Sequence, residues 1–273
     1  MSEGVSTSQT AAADFCARHV VALERNEARH MMLLGALNSD TELVNVQFWT
    51  LGAPGECAIL RPNGLVILGD LNERQSRALS EQLSDVDYKG VIGPDDSALR
   101  FIERAVEFGI EFLEPMPQRI HYLAKSPSYP GAPGRARRAT LEDAELLTEW
   151  MTAFVYEATP HDSPPSRESM QKGAADGRYF IWMVGEEPVS TAAIVRRTRH
   201  AGGIAAVFTP RDLRGKGYAG SITAAVAEAL FREGKTMACI NTDLRNPISN
   251  RCYAKIGFKP VCDATFFPRR YQG

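Results

Sequence analysis

The sequence predicts a two-part α/β chain of the α+β kind, each part made of strands followed by helix, strand and helix. Three observations carry this. The segment Ser126-Pro-Ser-Tyr-Pro-Gly-Ala-Pro-Gly134 holds three prolines and two glycines, cannot propagate a helix or a central strand, and divides the chain almost in half. Pro62-Asn63-Gly64 joins two short apolar runs and reads as a hairpin turn. The apolar run Ile204–Thr209 leads through a loop containing Gly215 and Gly217 into an alanine-rich amphipathic stretch, the order strand, glycine loop, helix.

In the first half, Thr10–Leu37 has the period of one long helix, and strand-like runs follow at Asn45–Leu51, Cys57–Arg61 and Leu65–Leu68. A helix over Asn72–Leu83, a strand at Lys89–Ile92, a helix over Ser97–Phe108 and a strand at Arg119–Leu123 complete it. The second half opens with a strand at Arg135–Arg138. Thr140-Leu-Glu-Asp143 then caps a helix running through Trp150. Strands at Tyr179–Val184, Val189–Arg197 and Gly203–Thr209 precede a helix over Tyr218–Glu233, a strand at Met237–Leu244 and a helix over Pro247–Ile256, the two helices stopped by Gly234 and Gly257. The repeated order points to a diverged internal duplication.

Composition limits the partners. The 273 residues carry 31 Lys plus Arg against 33 Asp plus Glu, so no charge excess favours nucleic acid or a membrane surface, and anion binding has to be local. Five scattered cysteines lack the C-x-x-C spacing of a zinc or redox site, which predicts reduced, mostly buried thiols, no metal and a cytoplasmic setting. The first thirty residues contain Asp14, Glu24 and Glu27 and show no signal-peptide core, and no uncharged run approaches the ~20 residues of a membrane span.

The glycine loop Arg214-Gly-Lys-Gly-Tyr-Ala219 is the strongest functional signal. The first amides of a helix lack internal partners and point along a favourable dipole, so a phosphate placed there gathers several hydrogen bonds. Glycines at 215 and 217 let the backbone approach the anion, and Arg214 and Lys216 add charge nearby. Ile222, Val226 and Leu230, with Ala225 and Ala229 beside them, give the following helix a buried stripe. Gly215–Gly220 also satisfies the G-x-G-x-x-G pattern of dinucleotide-binding oxidoreductases, with Asp243 where a ribose-binding acid could fall. Against that reading, Pro210–Arg214 separate strand from glycines, and too little chain remains for a doubly wound sheet.

The loop, with a second block Asn246-Pro-Ile-Ser-Asn-Arg-Cys-Tyr-Ala-Lys-Ile-Gly-Phe258 downstream, resembles the GNAT superfamily of acyl-CoA-dependent N-acetyltransferases. The family's loop is [Q/R]-x-x-G-x-[G/A], and its later block is N-x-x-[AS]-x-x-x-Y-x-x-x-G-F. The resemblance is firm over 203–258 and extends over 135–273. It implies a mixed, mostly antiparallel sheet whose parallel fourth and fifth strands, here Ile204–Thr209 and Met237–Leu244, splay apart to admit the pantetheine arm beside Val207, Phe208 and Thr209. It implies acetyl-CoA as co-substrate, held by Arg214, Gly215, Lys216, Gly217, Tyr218 and Ala219 with Asn246, Ser249 and Tyr253, and a small-molecule or peptide amine as acceptor. Residues 1–127 would be a degenerate GNAT-like domain and 135–273 the acyl-CoA-binding one. In the first half Gly69-Asp-Leu-Asn-Glu73 stands where the glycine pair should be, and its acids would repel phosphate.

Three residues are candidates for the chemistry. Ser249 and Tyr253 share a helical face beside an apolar stripe of Ile248, Cys252 and Ile256; in the family a tyrosine at the position of Tyr253 protonates the departing thiolate. Glu157, in the segment that shapes the acceptor site, and Asp243, at the end of the fifth strand, are carboxylates that could serve, although solvated charges or loop caps explain both as well. His161 lies in the same segment, before Asp162-Ser-Pro-Pro165. The basic run Arg196–His200 reads as a solvated hairpin end. A lysine-like amine must lose a proton before it attacks, at a cost of about 4.6 kcal/mol at pH 7; no residue stands out as the base. The rival from another class is a non-catalytic acyl-CoA-binding sensor or regulatory module.

Overall fold

The computed structural model describes residues 9–38, 43, 45–160 and 162–270, so His161 lies outside the described residues. It divides into two units. Unit 1 takes the described residues up to His121, Thr242–Asn246 and those from Pro260 on; unit 2 takes Tyr122–Asn241 and Pro247–Lys259.

Unit 1 contains α1 (Gln9–Glu24), α2 (Met31–Leu37), β1 (Gln47–Thr50), β2 (Cys57–Leu60), β3 (Leu65–Leu68), α3 (Glu73–Gln82), β4 (Gly90–Pro94), α4 (Asp95–Glu107) and most of β5 (Met116–Leu123). β1, β2 and β3 are antiparallel neighbours, and α3 crosses over so that β4 lies parallel to β3. Gly64, at φ 83°, makes the turn between β2 and β3 that Pro62-Asn-Gly64 predicts. Leu79, Leu83 and Phe101 of the α3–α4 segment cover one face of the sheet, and Phe15, Leu33 and Leu34 of the first two helices cover the other.

The single helix expected over Thr10–Leu37 is two helices. Tertiary pairing outweighs helix propensity between them: Arg29 and His30, adjacent in sequence, both reach the Asp70 carboxylate, at 2.7 and 3.1 Å, and the chain leaves the helix over Arg25–His30.

The chain's last strand is absent from the sequence reading, which placed everything after residue 135 in one domain. β11 (Lys259–Pro268) runs antiparallel to β4, with Thr265 opposite Gly93 and Phe267 opposite Val91. It is fastened in unit 1 by a bidentate Arg119–Asp263 pair at 2.6 and 2.8 Å and by Thr265 Oγ1 donating to Asp95 Oδ1 at 2.8 Å.

Unit 2 contains β6 (Arg135–Arg138), α5 (Ala144–Ala158), α6 (Arg167–Ala175), β7 (Tyr179–Val184), β8 (Glu187–Arg197), β9 (Ala201–Phe208), α7 (Tyr218–Arg232), most of β10 (Met237–Asp243) and α8 (Pro247–Ile256). Its strand order is β10-β9-β8-β7-β6, antiparallel except for the β9–β10 pair. Along β7 the side chains alternate between two cores. Phe180 and Trp182 join the cluster that holds Ile222, Val226 and Leu230 of α7, while Ile181 and Met183 join Leu147 and Met151 of α5. The α7 stripe read from the sequence is buried as expected, with Ala225 only half-buried. α6 is a helix that the reading passed over; Ser166 Oγ caps it by accepting from Ser169 N at 3.1 Å.

Arg137 on β6 makes two bonds of 2.7 Å to Asp143, whose Oδ2 also accepts from Thr140 N at 2.7 Å. The Arg137 guanidinium thus holds the Asp143 carboxyl below its ordinary range. Because the folded value is the lower one, this stabilisation is present above the unfolded carboxylate pKa of about 3.9 and fades as pH falls through the folded value. Asp143→Asn is expected to cost roughly 1–3 kcal/mol at pH 7 and to reduce the loss of stability between pH 5 and 2, as read from urea midpoints at each pH.

Candidate functional site

The parallel pairing of β9 with β10 ends at Ile204–Ile240, although β9 continues to Phe208 and β10 to Asp243. β9 also slips against β8. Ala205 lies opposite Ala193 and Phe208 opposite Thr191, so three steps on β9 answer two on β8. The extra residue is Ala206, a non-glycine residue at φ 53°. A bulge of this kind leaves backbone groups outside the ladder and re-aims the residues around it. Ala206 and Val207 have no cross-strand partner in the β8 register. The amides expected to meet the pantetheine arm therefore lie on a strand released on one side by the bulge and on the other by the end of the β10 pairing.

Beyond β9 the chain makes a short 3-10 turn at Arg211–Leu213 and then the glycine loop. Gly215 and Gly217 stand at φ 80° and 83°, a region costly for side chains with a Cβ. Gly217 is the N-cap of α7, and among the described residues no side-chain cap bond is made there, which leaves its first amides available to an anion. Lys216 is exposed at the loop tip, and Tyr218 and Ala219 are half-buried in the first helical turn.

The corresponding turn in unit 1 is filled. Asn72 Oδ1 accepts from Gln75 N at 3.0 Å and Gln75 Oε1 from Asn72 N at 2.9 Å, a complete capping box on α3. Asp70, two residues earlier, is a carboxylate: burial alone would raise its pKa, but bonds from His30 and Arg29 outweigh that and hold it at about 2. Capped amides and a fixed negative charge both oppose phosphate there.

Two residues that the sequence reading missed sit against the α7 cradle. Ser221 Oγ donates to Gly217 O at 3.1 Å and accepts from Ala132 N at 2.7 Å, which pins the proline-rich linker to the first helical turn. The Tyr129 hydroxyl lies 2.3 Å from where a Cβ on Gly220 would stand, so Gly220 is small because the linker crosses there. The available signal was modest: an aromatic residue inside an otherwise small, turn-forming segment.

The other expected residues divide. Val207 packs against the cluster that contains Tyr253, Ile204 and Ile240, whereas Phe208 faces the α5 side, 6.3 Å from Trp150. The Thr209 hydroxyl is 2.9 Å from Ser190 Oγ, and its carbonyl accepts from Arg214 Nε at 2.8 Å. Tyr253 on α8 is buried among apolar residues, edge-on to Phe258 at 6.1 Å. None of the described hydrogen bonds uses its hydroxyl, and burial, helped by Cys252, pushes its pKa well up. Ser249 is half-buried on the same helix. Ile248, expected in the apolar stripe of that helix, is instead exposed, because α8 buries only its Tyr253 and Ile256 side.

Asp243 and Asn246 fall in unit 1. Asp243 is held by Arg245 through its backbone amide at 2.8 Å and its guanidinium at 3.2 Å, and Asn246 N donates to Asp243 O at 3.0 Å. Glu157, at the end of α5, accepts from Arg211 Nε at 2.9 Å and Arg214 Nη2 at 2.7 Å, and these two arginines lower its pKa, Arg214 foremost. The basic run forms the β8–β9 turn, where Arg197 pairs with Glu233 at 3.3 Å. Among the described residues no cluster of three or more His, Cys, Asp or Glu could hold a metal, and no helix is long and apolar enough to cross a membrane.

Comparison with known proteins gives the same direction. The acetyltransferase (GNAT) family matches residues 144–258. A search of curated proteins finds no match. Among solved structures, a Drosophila protein is 15% identical, with 96% of this chain and 97% of that one covered at a TM-score of 0.67. A GCN5-related N-acetyltransferase from Kribbella flavida is 16% identical, with 89% and 95% covered and a TM-score of 0.60. A tandem GNAT protein from the clavulanic acid biosynthesis pathway is 11% identical, with 84% of each chain covered and a TM-score of 0.53. At these identities the structural likeness concerns the fold, a mixed, mostly antiparallel sheet containing parallel pairs. The bulged strand and the uncapped glycine loop both lie within residues 144–258, the part of the chain that matches the acetyltransferase (GNAT) family.

Proposed function

We propose that this protein transfers an acetyl group from acetyl-CoA to a primary amine. The observation that carries the reading is the uncapped N-terminus of α7 at the end of the bulged strand β9. The amides of the α7 first turn would bind the pyrophosphate, with Gly215 and Gly217 allowing its approach. Val207–Thr209 would take the pantetheine arm. A strand amide beside the bulge would polarise the thioester carbonyl as the amine attacks, and the charge that develops on that oxygen is what such a donor stabilises. The first half is a second unit of the same descent without a cofactor, closed by the Asn72–Gln75 cap and Asp70.

Tyr253 would return a proton to the departing thiolate. Its unbonded hydroxyl supports that role, and the raised pKa keeps the proton in place throughout the working range. Since the acid form would be lost only above the reference value of about 10, the rate is expected to rise with pH as the amine deprotonates and to show no fall below pH 9. Tyr253→Phe is expected to lower kcat about a hundredfold while acetyl-CoA affinity stays unchanged. A thiol-release screen over amines, amino acids, aminoglycosides and peptides tests the reading. Release that depends on an added amine supports it. Acetyl-CoA binding with no release from any acceptor would favour a non-catalytic sensor, and full activity of Tyr253→Phe would remove the acid role alone.

A further inference from the structure

The C-terminal end of α5 is tied to the glycine loop by one carboxylate. Glu157 Oε2 accepts from Arg214 Nη2 at 2.7 Å and Glu157 Oε1 from Arg211 Nε at 2.9 Å. Arg214 is held from two further sides: its Nε donates to Thr209 O at 2.8 Å, and its guanidinium carbon lies 5.8 Å from the centre of the Phe208 ring. The Phe208 ring in turn lies against Trp150 of α5. Helix α5, the end of β9 and the first residue of the loop motif thus meet on a single guanidinium. The two ion pairs are unequal. Arg211 is 79% exposed and Arg214 45% exposed, against 29% for Glu157, so the Arg214 contact is the better shielded and contributes more.

This geometry fits poorly with Glu157 as a proton acceptor. A carboxylate that accepts from two guanidiniums is a weak base, and both of its oxygens are occupied. It fits poorly too with Arg214 as a phosphate ligand, since two faces of its fork are spent on Glu157 and Thr209. What the contacts do is fix the path of the chain between Phe208 and Gly215, which sets where the amides of Gly217, Tyr218 and Ala219 point.

We infer that Glu157 is a positioning residue for the cofactor loop, acting through Arg214 to hold the glycine backbone in its anion-binding form. The inference rests on the acetyl-CoA reading above and goes beyond it by moving Glu157 from the acceptor side of the chemistry to the cofactor side. A staple of this kind restrains the loop on its own, and a restrained loop lowers the ordering cost that phosphate binding would otherwise carry.

The test is calorimetric titration of acetyl-CoA into the full chain and into Glu157→Ala, Glu157→Gln, Arg214→Gln and the double variant Glu157→Gln/Arg214→Gln, with the thermal midpoint of each recorded. Glu157→Ala is expected to weaken binding about tenfold, the loss of one charge-assisted contact, while the midpoint of unfolding moves little. In the double variant the two losses are not expected to add, because both remove the same contact. A residue with a merely structural part would lower the midpoint and leave the affinity of the folded protein intact, and that result overturns the inference. So does unchanged affinity in every Glu157 variant, or additive losses in the double variant, while the acetyl-CoA reading stands. Failure of the wild-type chain to bind acetyl-CoA overturns both.

Discussion

Ending the chain at Phe258 is expected to unfold unit 1, although the segment removed begins about 140 residues beyond the β5 part of that unit. β11 supplies five cross-strand partners to β4, from Ala264 opposite Pro94 to Pro268 opposite Gly90. Phe267 is 6% exposed in the core that holds Trp49, Leu79 and Phe101, and Phe266 packs on the other face with Phe48 and Ile92. Burying one phenylalanine in a core contributes on the order of 3–5 kcal/mol, and whole domains are stable by only about 5–15 kcal/mol. Loss of two such side chains, the ladder and the Arg119–Asp263 pair exceeds what a unit of this size has in reserve. Amide exchange followed by mass spectrometry provides the check. Cys57–Leu60 and Leu65–Leu68 should be protected in the full chain and exchange freely in the shortened one. Protection that survives the truncation would show β11 to be peripheral.

That strand also shows where the sequence stops being legible. The α7 stripe could be read because Ile222, Val226 and Leu230 repeat with the helical period, and the tight loop before α7 because Gly215 and Gly217 occupy backbone angles that other residues reach at a cost. These are local properties, written within a few residues of where they act. β11 has prolines at both ends, no clean alternation, and its partners on β4 lie 170 residues or more away, from Ala264 opposite Pro94 to Pro268 opposite Gly90. The same limit applies to the break after Glu24, which is decided by Asp70, and to Glu157, whose partners stand 54 and 57 residues along the chain. Asp243 illustrates the converse: its place near the end of a parallel strand could be read, but not that Arg245 holds it two residues on.

Gly217→Val is expected to weaken acetyl-CoA binding by at least about a hundredfold, equivalent to about 2.7 kcal/mol. At φ 83° a β-branched residue is strained by roughly 1–3 kcal/mol, and relief of that strain turns the α7 amides away from a common point. The added methyl groups also meet the linker, since a Cβ at this position already lies 3.6 Å from the Tyr129 hydroxyl and 3.7 Å from Ala132 Cβ. Gly215→Ala is the informative comparison. Its Cβ meets nothing within 4 Å, so only the φ penalty applies and a smaller loss is expected. Equal losses at the two positions would mean that crowding by the linker has no part in shaping the cradle. No loss at Gly217 would mean that the anion binds elsewhere.

The stoichiometry of acetyl-CoA binding tests the central claim most directly. Two units of related order are present; α7 offers uncapped amides behind a glycine loop, while α3, at the corresponding place in unit 1, is closed by Asn72, Gln75 and the Asp70 carboxylate. Calorimetric titration of the intact chain should therefore give one site per chain, abolished by Gly217→Val. Two sites per chain, or no heat of binding at millimolar acetyl-CoA, would contradict it.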